Sequence, residues 1–151
     1  MEFTNNNLNS TVWVKPDYME RNRKWFEVDA NWQTLWKLAV LIAKKISWKD
    51  QEFACDFWDS GNFVVVKNAE KISVTWKKLD QKMYYRYSWY KWNLKEMNLS
   101  ELLEKHPERA IYYAVRWMLP KNKLRDSRMK RLKIFVWESN KYDYLNPEKI
   151  N

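Results

Sequence analysis

The stretch DANWQTLWKLAV, residues 29–40, decides how the rest of the chain reads. The residues before it, Lys24 to Ala30, have the composition and alternation of a strand. The residues after it place Leu35, Leu38, Ala39, Ile42 and Ile46 at helical spacing. A strand running into a helix is the basic unit of a layered α/β domain. The join is anomalous in one respect. Tight turns that need a positive φ take glycine, because only glycine adopts that region cheaply. Here Asn31 is followed by Trp32, and the helix then opens with Trp36.

Outward from this unit the same alternation continues. NFVVVKNA, residues 62–69, is an apolar run bounded by polar residues, as a strand buried on both faces would be. KISVTW (71–76) and KMYYRYS (82–88) read as further strands. Asn98, with Glu101 three residues on, has the form of a capping box. His106-Pro107 restarts a helix with proline at its first position, a buried stripe of Ile111, Ala114, Val115 and Met118, and Pro120 as its end. Lys123 to Arg131 reads as a basic helix and LKIFVW (132–137) as a last strand. Strands alternating with helices predict a three-layer α/β/α domain around a mostly parallel central sheet of about four strands. The expected organisation is a polar extension over 1–20, a single domain over 21–137 and a C-terminal tail over 138–151. The polar ends, residues 1–10 and the last few, are expected to lack a fixed structure.

Composition narrows the function classes. The chain of 151 residues is long enough for one domain with its own core. No apolar run approaches the roughly 18 residues that span a bilayer, and the Asn-rich start has neither the apolar segment nor the basic residues of a signal peptide. Neither a membrane nor an export route is therefore expected. Cys55 is the only cysteine and His106 the only histidine, which argues against a disulfide framework and a cysteine-rich zinc site. No metal or cofactor is expected. A buried thiol and a helix-start residue are the plain readings of these two.

The net charge is +9, and most of the excess is local. Arg116, Lys121, Lys123, Arg125, Arg128, Lys130, Arg131 and Lys133 stand against Asp126 alone, a window of net +7. Clustered like charges repel unless a polyanion neutralises them, so a phosphate-binding segment is expected here. YYRYSWYKWNLK, residues 84–95, interleaves Tyr84, Tyr85, Tyr87 and Tyr90 with Arg86, Lys91 and Lys95, a pattern suited to stacking on and neutralising RNA. Its plainer alternative is a strand with core tyrosines. Both are expected, with Arg86 and the following loop reaching phosphate. If glycine replaces Trp32 and Trp36, the 31–38 segment looks superficially like a phosphate-binding loop. It has three residues between the glycines instead of four and no Ser or Thr after Lys37, so a nucleotide-hydrolysing enzyme is not supported.

A second oddity is global. Average glycine usage of about 7% predicts roughly ten glycines. There is one, Gly61, and there are 11 tryptophans.

Several motifs, in order, carry a resemblance to a known family. KWFEVDANWQTLWKLAVLIAKKISWK (24–49) resembles the family pattern W-Y-x-x-D-A-x-G-x-T-L-G-R-L-A followed by G-K. DSGNFVVVKNAEKISVTWKK (59–78) is similar to D-x-G-D-F-V-x-V-x-N-A-x-K-x-x-x-T-G-x-K. YYRYSWYKWNLK resembles Y-Y-x-H-S-G-x-x-G-G-L-K. HPERAIYYAVRWMLPKNKL (106–124) and RLKIFVW (131–137) resemble R-x-P-E-x-x-x-x-x-A-V-x-G-M-L-P-K and K-L-K-V-Y-x-G. The family is the thirteenth protein of the large ribosomal subunit, and the resemblance runs from Lys24 to Trp137. It implies a structural protein of the bacterial large subunit, without catalysis. The implied partners are large-subunit ribosomal RNA and neighbouring ribosomal proteins, with a role early in subunit assembly, a cytoplasmic location in the ribosome, and no small-molecule substrate.

Against that pattern Trp32, Trp36, Trp48, Trp76, Trp89, Trp92, Trp117 and Trp137 fall where the family has glycine, while Trp25 falls on the family's own tryptophan. Trp13 and Trp58 are not assigned by the resemblance. Some uncultured bacterial lineages read UGA as glycine, so the expected origin of the excess is translation with a table that reads UGA as tryptophan. Other departures are Tyr87 at the family's histidine, Asn93 at its second loop glycine, and a tail, ESNKYDYLNPEKI, in place of a histidine-rich one.

The candidate RNA contacts are Lys37, Lys44, Lys45 and Lys49 in and after the first helix, and Arg86, Lys91 and Lys95 in the tyrosine-rich segment. Arg116, Lys121, Lys123, Arg125, Arg128, Lys130 and Arg131 complete the set. Lys37 sits on the family's arginine in G-R-L-A and Lys121 on the lysine of M-L-P-K. A nucleotide-binding α/β enzyme and a regulatory RNA-binding protein outside the ribosome are the alternative classes.

Overall fold

The computed structural model describes residues 16–47, 49, 58–138 and 141–150. Trp13, Trp48, Cys55 and the expectation of an unstructured 1–10 lie outside the described residues.

A short helix α1 (Pro16–Arg21) leads into β1 (Trp25–Asp29), α2 (Leu35–Ser47) and β2 (Phe63–Lys67). A four-residue helix α3 (Lys78–Gln81) precedes the hairpin β3 (Met83–Tyr87) and β4 (Leu94–Asn98). Three helices follow, α4 (Leu99–Lys105), α5 (Pro107–Met118) and α6 (Leu124–Lys130), then β5 (Leu132–Ile134) and β6 (Glu148–Ile150). The main sheet has the order β5-β2-β1-β6 with every neighbouring pair parallel, and the helices complete a three-layer α/β domain.

The core follows the sequence periodicities. Val64, Val65 and Val66 of β2 are fully buried, as a central parallel strand requires. Leu35, Leu38, Ala39, Ile42, Ala43 and Ile46 form the buried stripe of α2, which packs with Ile111 and Val115 of α5 over Phe26 and Val28. Gly61, just before β2, is needed for close approach: a Cβ there would stand 1.5 Å from the carbonyl oxygen of Ile46.

Three expectations change. Residues 71–76 are not a sheet strand. Lys71 and Ser73 bond instead to the β1–α2 connection, at Trp32, Gln33 and Leu35, which gives a single bridge, Thr34 to Ser73. The tyrosine-rich segment does form a strand, but in a separate antiparallel pair, β3 with β4. The fourth strand of the main sheet comes instead from the tail. β6 covers the otherwise free edge of β1, with Tyr142 stacked on Trp25 at 5.1 Å and Asp143 Oδ1 2.9 Å from Lys67 Nζ. The sheet therefore extends past residue 137 into the segment read as a tail, and the chain end expected to lack a fixed structure holds the strand Glu148–Ile150.

Two local expectations also shift. Asn98 does start α4, but its side chain makes no capping hydrogen bond. In α5, Met118 is exposed rather than buried, because the helix's last turn leaves the main core and faces the hairpin side.

Candidate nucleic-acid interface

The β3–β4 hairpin stands outside the main sheet. It packs through Tyr84 and Met97 onto a second, smaller core of Leu99, Leu102 and Ala110, with Tyr113 of α5 beside it. Between hairpin and α5 runs a groove of about 1020 Å³. Its floor is apolar and aromatic: the Tyr84 and Tyr113 rings lie 5.7 Å apart, near-parallel at 29°. Its rim is basic. Arg86 and Lys95 are opposed in register across the two strands, and Lys78, Lys82 and Arg109 line the same groove. Burial first, and the neighbouring Tyr113 second, raise the Tyr84 phenol above its usual pKa. The Tyr84 hydroxyl is buried with no hydrogen-bond partner.

The residues expected from sequence fall into three groups. Arg86, Lys91 and Lys95 are exposed on the hairpin, and Lys37, Lys44 and Lys49 are exposed on and after α2. Lys45 is half-buried, its Nζ 5.1 Å from the centre of the Phe26 ring. On the α5–α6 side Lys121, Lys123 and Lys130 are exposed, Arg125 is half-buried, and Arg116 is partly engaged by Asp126 at 3.8 Å.

Arg128 and Arg131 form the third group, and here the sequence expectation needs correcting. They are 3% and 4% exposed. Arg131 directs both terminal nitrogens to Asp59 and also donates to the Ile46 carbonyl, and Arg128 Nε lies 3.8 Å from Asp59. One face of α6 turns inward onto a carboxylate 72 positions earlier, so two cations in the basic run serve the fold. The sequence reading also missed Lys78, Lys82 and Arg109. The four-residue spacing from Arg109 to Tyr113 on α5 was the available signal for the last of these.

Seven of the eight tryptophans at family glycine positions lie among the described residues, and all seven point to solvent, from 53% exposed at Trp36 to 91% at Trp89 and Trp92. Four have left-handed backbones: Trp32 (φ 58°), Trp76 (64°), Trp89 (62°) and Trp92 (64°). Trp32 is the third residue of a turn closed by the Gln33 N–H on the Ala30 carbonyl. Trp92 holds the same place in the turn closed by Asn93 on Tyr90. Trp25 differs: it is half-buried and stacks on Phe63 at 4.3 Å and 8°.

Among the described residues no helix is long and apolar enough to cross a membrane. The family profile described as "Ribosomal protein L13" matches residues 23–141. A Pseudothermotoga lettingae protein named "Large ribosomal subunit protein uL13" is 46% identical over 131 residues, 87% of this chain and 89% of that one. Proteins of the same name from Thermotoga petrophila and Agathobacter rectalis are 41% and 42% identical, covering 95% and 85% of this chain and 95% and 91% of theirs.

Proposed function

The chain belongs to the ribosomal protein L13 family, and from that premise we propose that three basic surfaces, α2 with Lys49, the β3–β4 hairpin and the 116–130 segment, hold large-subunit ribosomal RNA. The protein is a structural constituent of the large ribosomal subunit and not an enzyme. Its partners are ribosomal RNA and neighbouring ribosomal proteins, and it resides in the cytoplasmic ribosome. Helix α5 packs on α2 and on the small core under the hairpin and leads into the 121–130 segment, so these surfaces are held in fixed relation and binding orders RNA segments relative to each other. This fits a role early in assembly.

The observation that carries the contact assignment is the contrast within one basic run. Arg128 and Arg131 are buried on Asp59, while Lys121, Lys123 and Lys130 are exposed. Lys37, Lys44, Lys45, Lys49, Arg86, Lys91, Lys95, Arg116 and Arg125 complete the proposed set. The expected chemistry is phosphate neutralisation with little reading of base edges, because the deep, narrow major groove of an RNA helix hides them. Footprinting large-subunit RNA with and without the protein tests this. A footprint that disappears when Lys121, Lys123 and Lys130 are changed supports the assignment, and an unchanged footprint refutes it.

The tryptophans at family glycine positions are, in this reading, glycines encoded by UGA. Two observations support it. Four of them occupy backbone that glycine adopts freely and tryptophan does not. All seven described ones leave a large apolar side chain in solvent, whereas Trp25, on a family tryptophan, is packed. The native peptide masses test it.

A further inference from the structure

We propose that the groove between the β3–β4 hairpin and α5 seats an unpaired nucleotide of ribosomal RNA, its phosphate between Arg86 and Lys95 and its base against Tyr84 and Tyr113. The inference rests on the RNA-binding reading above and narrows one surface of it to a nucleotide class.

Three features of the groove point this way. The first is charge. Arg86 and Lys95 are register partners on an antiparallel pair, and like charges directly opposed repel. Five basic side chains line the groove against one carboxylate, Glu96. An anion seated between Arg86 and Lys95 removes the repulsion.

The second is the floor. Tyr84 and Tyr113 present near-parallel rings beside Val74 and Met97. Aromatic faces of this kind stack on bases irrespective of sequence. The bases of a duplex are already stacked on each other, so only an unpaired one can use this floor.

The third is the buried Tyr84 hydroxyl, which has no partner. A buried hydroxyl left unpaired is costly; Tyr84 as a whole is half-buried and lines the groove, so a small movement of its ring on binding brings the hydroxyl to the polar edge of a base. An apolar floor, an orphan hydroxyl and a cationic rim match the face, edge and phosphate of one nucleotide. An acidic peptide would answer only the rim. Trp36 and Trp117 also line this groove, from helical backbone that makes no demand for glycine. Glycine at both positions would widen it and let the RNA chain come close to α2 and α5.

The test uses the full chain with a fluorescent six-nucleotide uridylate and a blunt RNA hairpin of the same phosphate count. The single strand should bind more tightly. Changing Arg86 and Lys95 to Gln should weaken it about ten-fold or more, the loss typical of removing charge-assisted phosphate contacts. Tyr84→Phe, which keeps the ring and the fold, should weaken the single strand several-fold and leave the hairpin unchanged. In large subunits carrying Tyr84→Phe, chemical probing should show an unpaired nucleotide becoming reactive. Equal affinity for hairpin and single strand, or no effect of Tyr84→Phe, overturns the proposal. So do crosslinks from a photoreactive residue at position 109 that run to a neighbouring protein instead of RNA. Cosedimentation of the variants with the large subunit separates the two readings: retained, it leaves ribosomal RNA binding standing while the groove fails.

Discussion

Arg131 directs both terminal nitrogens of its guanidinium onto the Asp59 carboxylate, joining the end of α6 to the segment that enters β2. The pair is inside the domain, with Arg131 4% and Arg128 3% exposed around a single acid. Removing one partner of a buried ion pair leaves the other charge desolvated and unpaired. Asp59→Ala should therefore cost about 3–5 kcal/mol, read as a lower urea midpoint with an unchanged slope. Asp126→Ala, which breaks the exposed pair with Arg116, should cost under about 1 kcal/mol. Equal losses in the two variants would mean that Asp59 does not carry this role.

A second ion-pair cluster gives a pH dependence. Lys67 Nζ lies 3.0 Å from Glu27 Oε2 on the neighbouring strand and 2.9 Å from Asp143 Oδ1 in the C-terminal segment. Burial works against its charge, but hydrogen bonds and attraction from Asp143 and Glu27 outweigh it and hold the Lys67 pKa above 10.5. A folded pKa raised above the unfolded one stabilises fully below the unfolded value and is lost as pH rises through the folded value. Stability should be insensitive to this pair near neutrality and should fall above pH 10.5. Tyr84, held neutral mainly by burial, works in the same direction. The difference between the native chain and Lys67→Met in alkaline urea titrations therefore isolates the pair. Parallel curves for the two would refute it.

Salt dependence separates the structural arginines from the RNA contacts. Lys121, Lys123 and Lys130 changed together to Ala should reduce the slope of log affinity against log salt by about 2–3, at roughly 0.7–0.9 for each phosphate no longer neutralised. Arg128→Gln should leave the slope unchanged and lower thermal stability instead, because its side chain is buried. A slope unaffected by the triple change would move the main RNA-binding surface away from this segment.

How much of this was legible in sequence depends on the range of the forces involved. The α2 stripe Leu35, Leu38, Ala39, Ile42 and Ile46 and the buried run Val64–Val66 were readable because helical and strand periodicity are local properties. The burial of Arg131 was not, since its partner lies 72 residues away and nothing near it in sequence separates an inward arginine from an outward one. Residues 71–76 alternate as a strand should, yet the fold lays Lys71 and Ser73 against the β1–α2 connection, a partner that local alternation does not reveal. The reverse holds for Glu148–Ile150, too short and polar to read as a strand but placed beside the open edge of β1. For the interface, Arg86 and Lys95 were visible as charges, but their opposition across the hairpin is a matter of register.

The tryptophans divide by backbone, and so should the effects of replacing them. Overpacking is not the cost at the seven described family-glycine positions, since their side chains stand in solvent. At Trp32, Trp76, Trp89 and Trp92 the cost lies in the left-handed backbone, about 1–2 kcal/mol for each non-glycine residue. Glycine at these four should raise stability by several kcal/mol in urea titrations. At Trp36 and Trp117, inside α2 and α5, the backbone is helical, and glycine should instead be neutral or cost up to about 1 kcal/mol. If all six substitutions behave alike, backbone strain does not distinguish these sites. The gene and the native protein test the origin of the residues separately. TGA is expected at codons 32, 36, 48, 76, 89, 92, 117 and 137, with TGG at 25. Mass spectrometry of ribosomes from the native cells should find glycine in the corresponding peptides. Tryptophan in those peptides, or TGG throughout the gene, would end the recoding reading and leave four left-handed tryptophans as a strain that the native fold holds.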